Sequence, residues 1–570
     1  MNLKEQIRHS IPAAIVVVIG AWVMIYYSIV QWETMKPVPS WDLAIFSELA
    51  KAYAHFQTPI VPVKGDGYNL LGDHFHPILI LLGPIWRLFP TPLSLLITQD
   101  LLLALSAWPL TRLASRLTNQ WVAGGLGLVY VLSWGMQGAV AAQFHEIAFA
   151  MPLLAYASVA FVERRWGAVT AWSAPLVLVK EDMGLTVLMI GVAVILTSAV
   201  PAWYRTCTVI RPGGRGADGL DAAGDAAGNA AGSAPQDDAA RNRRRGLRLG
   251  VGMVVGGIAA FLFAIQVFLP AFNINGVWDY GLSSQDQPTS PDALTHKAMV
   301  VVMLILTSGV VGVTSPWLLV VLPTLAWRFL GSVEFYWVWD NWHYNATLMP
   351  IALGALLDVV ARRRAHGSYV ADHPVRQVGV DGRAVMGRSA RAALASGETG
   401  TAGESDVDGP RRRPTAFPTW LTVPMRHRFV VATSILTAVA TGVLTAPYLP
   451  LWQATNKNFD PLAAEAKQSD EAKRTETHRV AVAHEVIATI PEGATVVTDL
   501  SLLAYLVPRA EVSWAGTSGP DKEYIVMTPT SANQWGSSDA AAWGKKHSKQ
   551  GATYTLIYNK DNYQIAKRNG

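Results

Sequence analysis

Apolar runs close to the length of a bilayer crossing recur from Ile11 to Pro450, separated by short clusters of arginine. About 20 such residues span the hydrocarbon as a helix. Inside lipid only helices and closed barrels satisfy their own backbone polar groups. The pattern therefore commits most of the chain to membrane-spanning helices. Composition agrees, since of 570 residues 51% are hydrophobic and only 15% charged, against about 25% charge in a soluble domain.

The net charge of +5 does not point to nucleic acid, because the basic residues sit between apolar runs, as in loops retained in the cytoplasm. The single Cys207 excludes an internal disulfide and any cysteine-based metal cluster. The first run, Ile11 to Val30, follows Lys4 and Arg8 and precedes no small-residue cleavage site. It reads as a retained anchor.

With the N-terminus inside, Ile11 to Val30 exits and Gln31 to His76 is external, while the short run Pro77 to Phe89 lies along the interface. Thr91 to Leu110 returns to Arg112 and Arg116; Trp121 to Val140 goes out, and Ile147 to Phe161 comes back to Arg164 and Arg165. The next stretch, Ala168 to Val200, is interrupted by Lys180-Glu181-Asp182. As one crossing it would put Arg241, Arg243, Arg244, Arg245 and Arg248 outside, against the positive-inside tendency. Two crossings joined at the triplet keep them inside. The outward arm, Ala168 to Val179, reaches only about 18 Å at roughly 1.5 Å per residue, so the charged bend is expected to line a wet cavity below the outer surface.

Gly250 to Pro270, Met299 to Val313, Trp317 to Leu330, Ala346 to Val360 and Phe429 to Leu449 continue the alternation. The expected fold is an α-helical polytopic membrane protein of about eleven transmembrane helices, with residues 1–450 as the membrane domain. Residues 213–242 and 365–414, poor in large apolar groups, are expected to be disordered cytoplasmic loops. From 451 to 570 the chain reads as a small extracytoplasmic α/β domain, with a polar helix over Glu465 to Ile490. Strands are expected in "GATVVTDL", "AEVSWAG", "KEYIVMT", "YTLIYN" and "YQIAKR", and helices over Ser501 to Val507 and Asp539 to Ser548.

With this threading the polar residues collect at the external ends: Asp42 and Glu48, Asp73, His74 and His76, His145 and Glu146, the Lys180 triplet, and Asp340 and His343. Carboxylates and imidazoles converging from separate loops are the pattern of an active site. Each also has a plain structural use. Asp42 suits the start of an interfacial helix. His74 and His76 share a face at the strand period and either bind a metal or serve as hydrogen-bonding groups. His145 and Glu146 suit an interfacial ion pair, and the aromatics of "FYWVWDNWHY" suit a membrane belt. The triplet resists such readings, because ionisable groups within a membrane segment are functional by default.

In order along the chain, "WDLAIFSEL", "GDHFHPIL", "FHE", "VKED" and "HYNATLMP", followed by "IPEGATVVTDLSLLAYLVPR", resemble the uncharacterised membrane family called domain of unknown function 2079. That family is in turn similar to the GT-C polytopic glycosyltransferases, which use sugars carried on polyprenyl phosphate or pyrophosphate. The resemblance implies an acidic residue in the first external loop, a position Asp42 occupies, and a His-Pro entry to the second helix, matched by His76-Pro77. The first loop lacks a clear Asp-x-Asp pair. A divalent metal, Mg²⁺ or Mn²⁺, is left open, with Asp73, His74, His76 and Asp182 as candidate ligands.

The expectation is then transfer of a sugar from a polyprenyl-phosphate donor to an extracytoplasmic acceptor. Asp42 is the general base, with Lys180, Glu181 and Asp182 the other catalytic residues. Glu48, His74, His76, His145, Glu146 and His343 bind substrate. The expected partners are the lipid bilayer and the lipid-linked sugar, with the plasma membrane as location. A transporter or a non-catalytic envelope assembly or sensor protein are the alternatives.

Overall fold

In the computed structural model the described residues are 3–35, 40–199, 234–280, 291–331, 333–372, 423–453, 470–531 and 535–570. Among them five helices are long and apolar enough to cross a membrane: Leu3–Glu33, Pro92–Leu117, Asp238–Phe272, His343–Arg364 and Arg428–Tyr448. Six shorter apolar helices accompany them, including Glu146–Val162, Trp166–Leu178 and Met183–Ala199. The run read as Trp121 to Val140 is two helices, Gln120–Val131 and Trp134–Ala141.

The charged triplet interrupts helix where expected. Trp166–Ser173 tightens into a 3₁₀ segment, Ala174–Leu178, and helix resumes at Met183. The returning helix packs closely on Ala234–Phe263. An added Cβ at Gly184 would lie 2.7 Å from the Gly257 carbonyl oxygen, and one at Gly191 would lie 2.6 Å from that of Gly250. Small residues at matched positions let two backbones approach where no hydrophobic force drives helices together. One helix spans Ala234–Phe263 and another Leu348–Asp372, so the expected loops 213–242 and 365–414 are helical over 234–242 and 365–372. The remainder of both lies outside the described residues.

At the arginine-rich ends, polar groups are paired across helices. Arg164 Nη2 lies 2.7 Å from Asp358 Oδ1, and Ser315 Oγ donates to Asp358 Oδ2 at 2.7 Å. Arg116 reaches Glu163 at 2.6 Å. Asp358 is fully buried, so removing it strands a buried guanidinium, a loss worth about 3–5 kcal/mol. Asp358→Ala is expected to lower the thermal unfolding temperature in detergent sharply, whereas Arg364→Ala, at an exposed edge, should leave it nearly unchanged.

The strands fall where the alternation put them: β1 Thr495–Thr498, β2 Glu511–Trp514, β3 Tyr524–Met527, β4 Tyr554–Lys560 and β5 Tyr563–Arg568. The sheet order is β2-β1-β3-β5-β4. β1 pairs in parallel with β2 and β3, while β5 pairs antiparallel with β3 and β4. Helices Leu503–Leu506 and Ala540–His547 flank the sheet. The polar helix begins at Asp470; its expected start at 465–469 lies outside the described residues.

The sheet is not an independent lobe, because Val496, Val512, Val526 and Ile565 share one continuous core with the helices, while Val497, Ile525 and Ala566 form a separate cluster. Tyr505 stacks on Trp32 at 4.1 Å and donates to its carbonyl. Lys51 donates to the Val507 and Ala510 carbonyls, and Lys522 meets Asp66 at 2.6 Å. The sheet thus grips helix Trp41–Ala54 and the loop after it.

Candidate active site

Helix Trp41–Ala54 is capped by Ser40, whose hydroxyl accepts from Leu43 N–H. The starting role considered for Asp42 is therefore filled by its neighbour, and Asp42 sits in the first turn. Its side chain is 42% exposed, with Oδ2 3.5 Å from His145 Nε2. Ser40 N–H also donates to Gln143 Oε1 at 2.5 Å. Gln143 has φ of 71°, an uncommon conformation for a side-chain-bearing residue. The turn brings its carbonyl to accept from His145 Nδ1 at 3.1 Å, and His145 N–H donates to Gln99. The imidazole is thereby held with Nε2 toward Asp42.

On its other face His145 stacks on His343, ring centroids 3.6 Å apart. His343 is brought there by a close crossing. An added Cβ at Gly135 would meet the Asn345 carbonyl and one at Gly138 the Trp342 carbonyl, so the loop lies against helix Trp134–Ala141. Buried Arg328 holds the same loop through the Tyr336 and Tyr344 carbonyls and Asn345 Oδ1. Trp342 adopts φ of 65°, backbone strain that persists only where the surroundings enforce it.

From Glu146 a chain of ion pairs runs inward. Glu146 meets Lys180 Nζ at 2.7 Å, and Glu181 meets His74 Nδ1 at 2.8 Å while also accepting from Phe75 N–H. Asp73 accepts from Lys64, Tyr68 and Tyr280, and the Tyr280 ring stacks on His74 at 4.2 Å. His76 lies edge-on to Phe46. The Nδ1 atoms of His76 and His343 and Oδ1 of Asp182 are buried with no protein partner.

Burial and ion pairing pull these groups apart in acidity. Burial opposes the charged form of Asp42, yet the His145 contact holds it below the ordinary carboxylate value. Burial lowers His74, but Glu181 outweighs it and raises the imidazole. His76, with desolvation dominant, falls to about 4. Asp182, buried close to Glu181 and Glu146, rises to about 6 despite Lys180. Divergent values within one cluster are the electrostatic mark of an active site, although structural ion-pair networks leave the same mark.

The structure thus brings together Asp42, His74, His76, His145, Glu146, Lys180, Glu181, Asp182 and His343. It separates Glu48. That carboxylate accepts from Val63 N–H at 3.4 Å and from Val512 N–H at 3.3 Å, tying the helix to β2. Its expected substrate contact is replaced by a structural one, because the helix turns Glu48 toward the sheet. Asp340 stands outside the ion-pair chain, half-buried, with burial raising its pKa.

Burial lifts Glu48 to about 8, against the two backbone donors. A folded value above the unfolded 4.5 means the native state holds a proton that the unfolded state has released. Stability therefore falls as pH rises from 4.5 to about 8, at about 1.4 kcal/mol per unit of difference. Glu48→Gln is expected to flatten the unfolding temperature over that window, and an unchanged slope would count against a buried proton there.

The candidate metal ligands do not assemble. Asp73 is taken by Lys64 and two tyrosines and His74 by Glu181, and among the described residues no three of His, Cys, Asp and Glu could share an ion. The residues present do not fit the Mg²⁺ or Mn²⁺ left open by the sequence.

Several members escaped sequence reading. Arg328 interrupts an apolar run and was legible as an anomaly there. Lys64, Tyr68, Tyr280, Gln99 and Gln143 carry no local signal, because their roles exist only through partners distant in the chain.

Helices with ionisable side chains gathered at one set of loop ends define a multi-pass helical membrane protein. The family model described as "Predicted membrane protein (DUF2079)" matches residues 38–377, and the chain belongs to that family. No curated protein matches. Among solved structures, ArnT from Cupriavidus metallidurans, crystallised bound to undecaprenyl phosphate, is similar at 12% identity, 97% coverage of each chain and a TM-score of 0.41. Similarity at that level leaves the reading of this chain to its own residues.

Proposed function

We propose that the protein is an integral-membrane glycosyltransferase moving a sugar from a polyprenyl-phosphate-linked donor to a hydroxyl on the extracytoplasmic side of the plasma membrane. Its N-terminus is then cytoplasmic and its sheet external. One observation carries the reading. Acids and bases from separate loops form a buried chain of ion pairs beside an open carboxylate: Glu146 and Glu181 are 2% and 4% exposed, Asp42 42%.

In the proposed step the acceptor oxygen attacks the anomeric carbon, and the bond from that carbon to the phosphate oxygen breaks with its electron pair leaving on the phosphate. The hydroxyl proton passes to Asp42, a use of a positioned carboxylate typically worth roughly 10²–10⁴-fold. His145, held by the Gln143 carbonyl at Nδ1, turns Nε2 toward Asp42 at 3.5 Å and so orients the carboxylate that takes the proton. Growing negative charge on the phosphate meets Lys180, and in the Nδ1–H tautomer the unpartnered nitrogens of His76 and His343 add donors preset for a charge that develops in the transition state. Glu181 orients His74.

The test is mass spectrometry of lipids and surface glycans from cells with and without the gene. A missing glycosyl unit together with accumulated lipid-linked sugar is expected. An unchanged profile, with purified protein moving a solute across liposomes, would replace the reading by a transporter.

A further inference from the structure

Outside the ion-pair cluster the chain has a second feature built for a ligand. A cleft of about 580 Å³ opens on the sheet, lined by Leu500, Trp514, Gly516, Trp535, Trp543 and His547. Leu500 follows β1, Trp514 ends β2 and Gly516 follows it, and Trp535 follows β3. The cleft therefore lies outside the carboxyl ends of all three parallel strands. The order β2-β1-β3 makes this the point where successive connections diverge, the place where open α/β sheets bind ligands.

The floor is fixed. Asp499, fully buried just after β1, accepts from Thr528 and Ser531 hydroxyls beyond β3, each at 2.5 Å, and from Ser501 N–H at 2.9 Å. The walls are aromatic. Trp535 and Trp543 have ring centroids 4.6 Å apart, and His547 lies 5.1 Å from Trp543. An added Cβ at Gly516 would strike the Trp514 indole, so glycine lets the chain cross that ring. Among the described residues no carboxylate or ammonium lines the cleft, which disfavours a charged ligand. His547 Nδ1 donates to the Trp543 carbonyl, leaving Nε2 as an acceptor at the rim.

Indole faces with a few polar atoms suit a ligand that is apolar on its faces and hydroxylated at its edges, as a pyranose ring is. One wall of the cleft also reaches toward the first site. Trp514 packs on Trp41 at 5.7 Å between ring centroids, and Trp41 immediately precedes Asp42. We infer that this cleft binds a neutral saccharide and presents it toward Asp42 as the acceptor. The acceptor role rests on the proposed transferase reading; the binding does not.

The probe is an array of bacterial surface oligosaccharides, offered to the detergent-solubilised full chain, followed by tryptophan-fluorescence titration of the best-bound sugar. Wild type and Asp42→Asn are expected to bind alike. Trp535→Ala should weaken binding by about tenfold, the loss of one stacking face, while Trp535→Phe stays within about threefold and both melt like wild type. A blank array, or titration unchanged in Trp535→Ala, overturns the inference whatever the transfer assay gives. Loss of transfer in Asp42→Asn with no saccharide bound would leave the transferase standing and remove only the cleft. Binding with transfer intact in Asp42→Asn would do the reverse.

Discussion

Asp42→Asn is expected to reduce sugar transfer by roughly 10²–10⁴-fold, the contribution of a positioned general base, while leaving unfolding temperature and membrane insertion unchanged. The asymmetry follows from position. Asp42 is the partly exposed end of the cluster, and its Oδ2 touches a histidine at 3.5 Å, a contact weak enough that an amide in its place disturbs little packing. An asparagine keeps the shape and cannot take the acceptor proton. Restoration of the glycan profile in a deletion strain is the readout, with purified protein run alongside by thermal melt. Full restoration by Asp42→Asn would remove Asp42 as base. His145→Gln should give a smaller loss, because it removes a group that orients the base and keeps the base itself.

The second large effect concerns Lys180. Lys180→Met is expected to destabilise the protein by about 3–5 kcal/mol, since it leaves the Glu146 carboxylate buried without its partner. Activity should vanish with it. Pairing the change with Glu146→Gln separates the two causes. The double variant buries no unpaired charge and should recover most of the lost unfolding temperature in detergent, yet transfer should stay absent because the cation facing the phosphate is gone. Recovery of both would reduce the pair to a structural brace. Loss of neither in Lys180→Met would mean that the ammonium does not sit where the 2.7 Å contact puts it.

The membrane character was legible from the period and length of the apolar runs, and the break at Lys180-Glu181-Asp182 from the cost of charge inside them. All five strands were legible too, since alternation of side chains across a strand is a local property. The fate of single polar residues was not. Asp42 and Glu48 lie in one helix with nothing in their surroundings to distinguish them, yet one opens toward His145 and the other is buried against β2. Helix rotation, set by packing on the sheet, separates them. The metal left open by the sequence was undecidable there for the same reason, because Asp73 had a partner in Tyr280 that no spacing reveals.

Solvent preference is written into a chain residue by residue, so the amino acids alone settled that lipid surrounds this protein and where its backbone must bend. Which carboxylate meets which base was decided in three dimensions. His145 faces Asp42 because Gln143 turns with φ of 71° and Gln99 catches the backbone beyond it. His343 covers that imidazole because Gly135 and Gly138 admit a loop two hundred residues away in the chain. Such contacts depend on distances between segments, and local sequence carries no record of those.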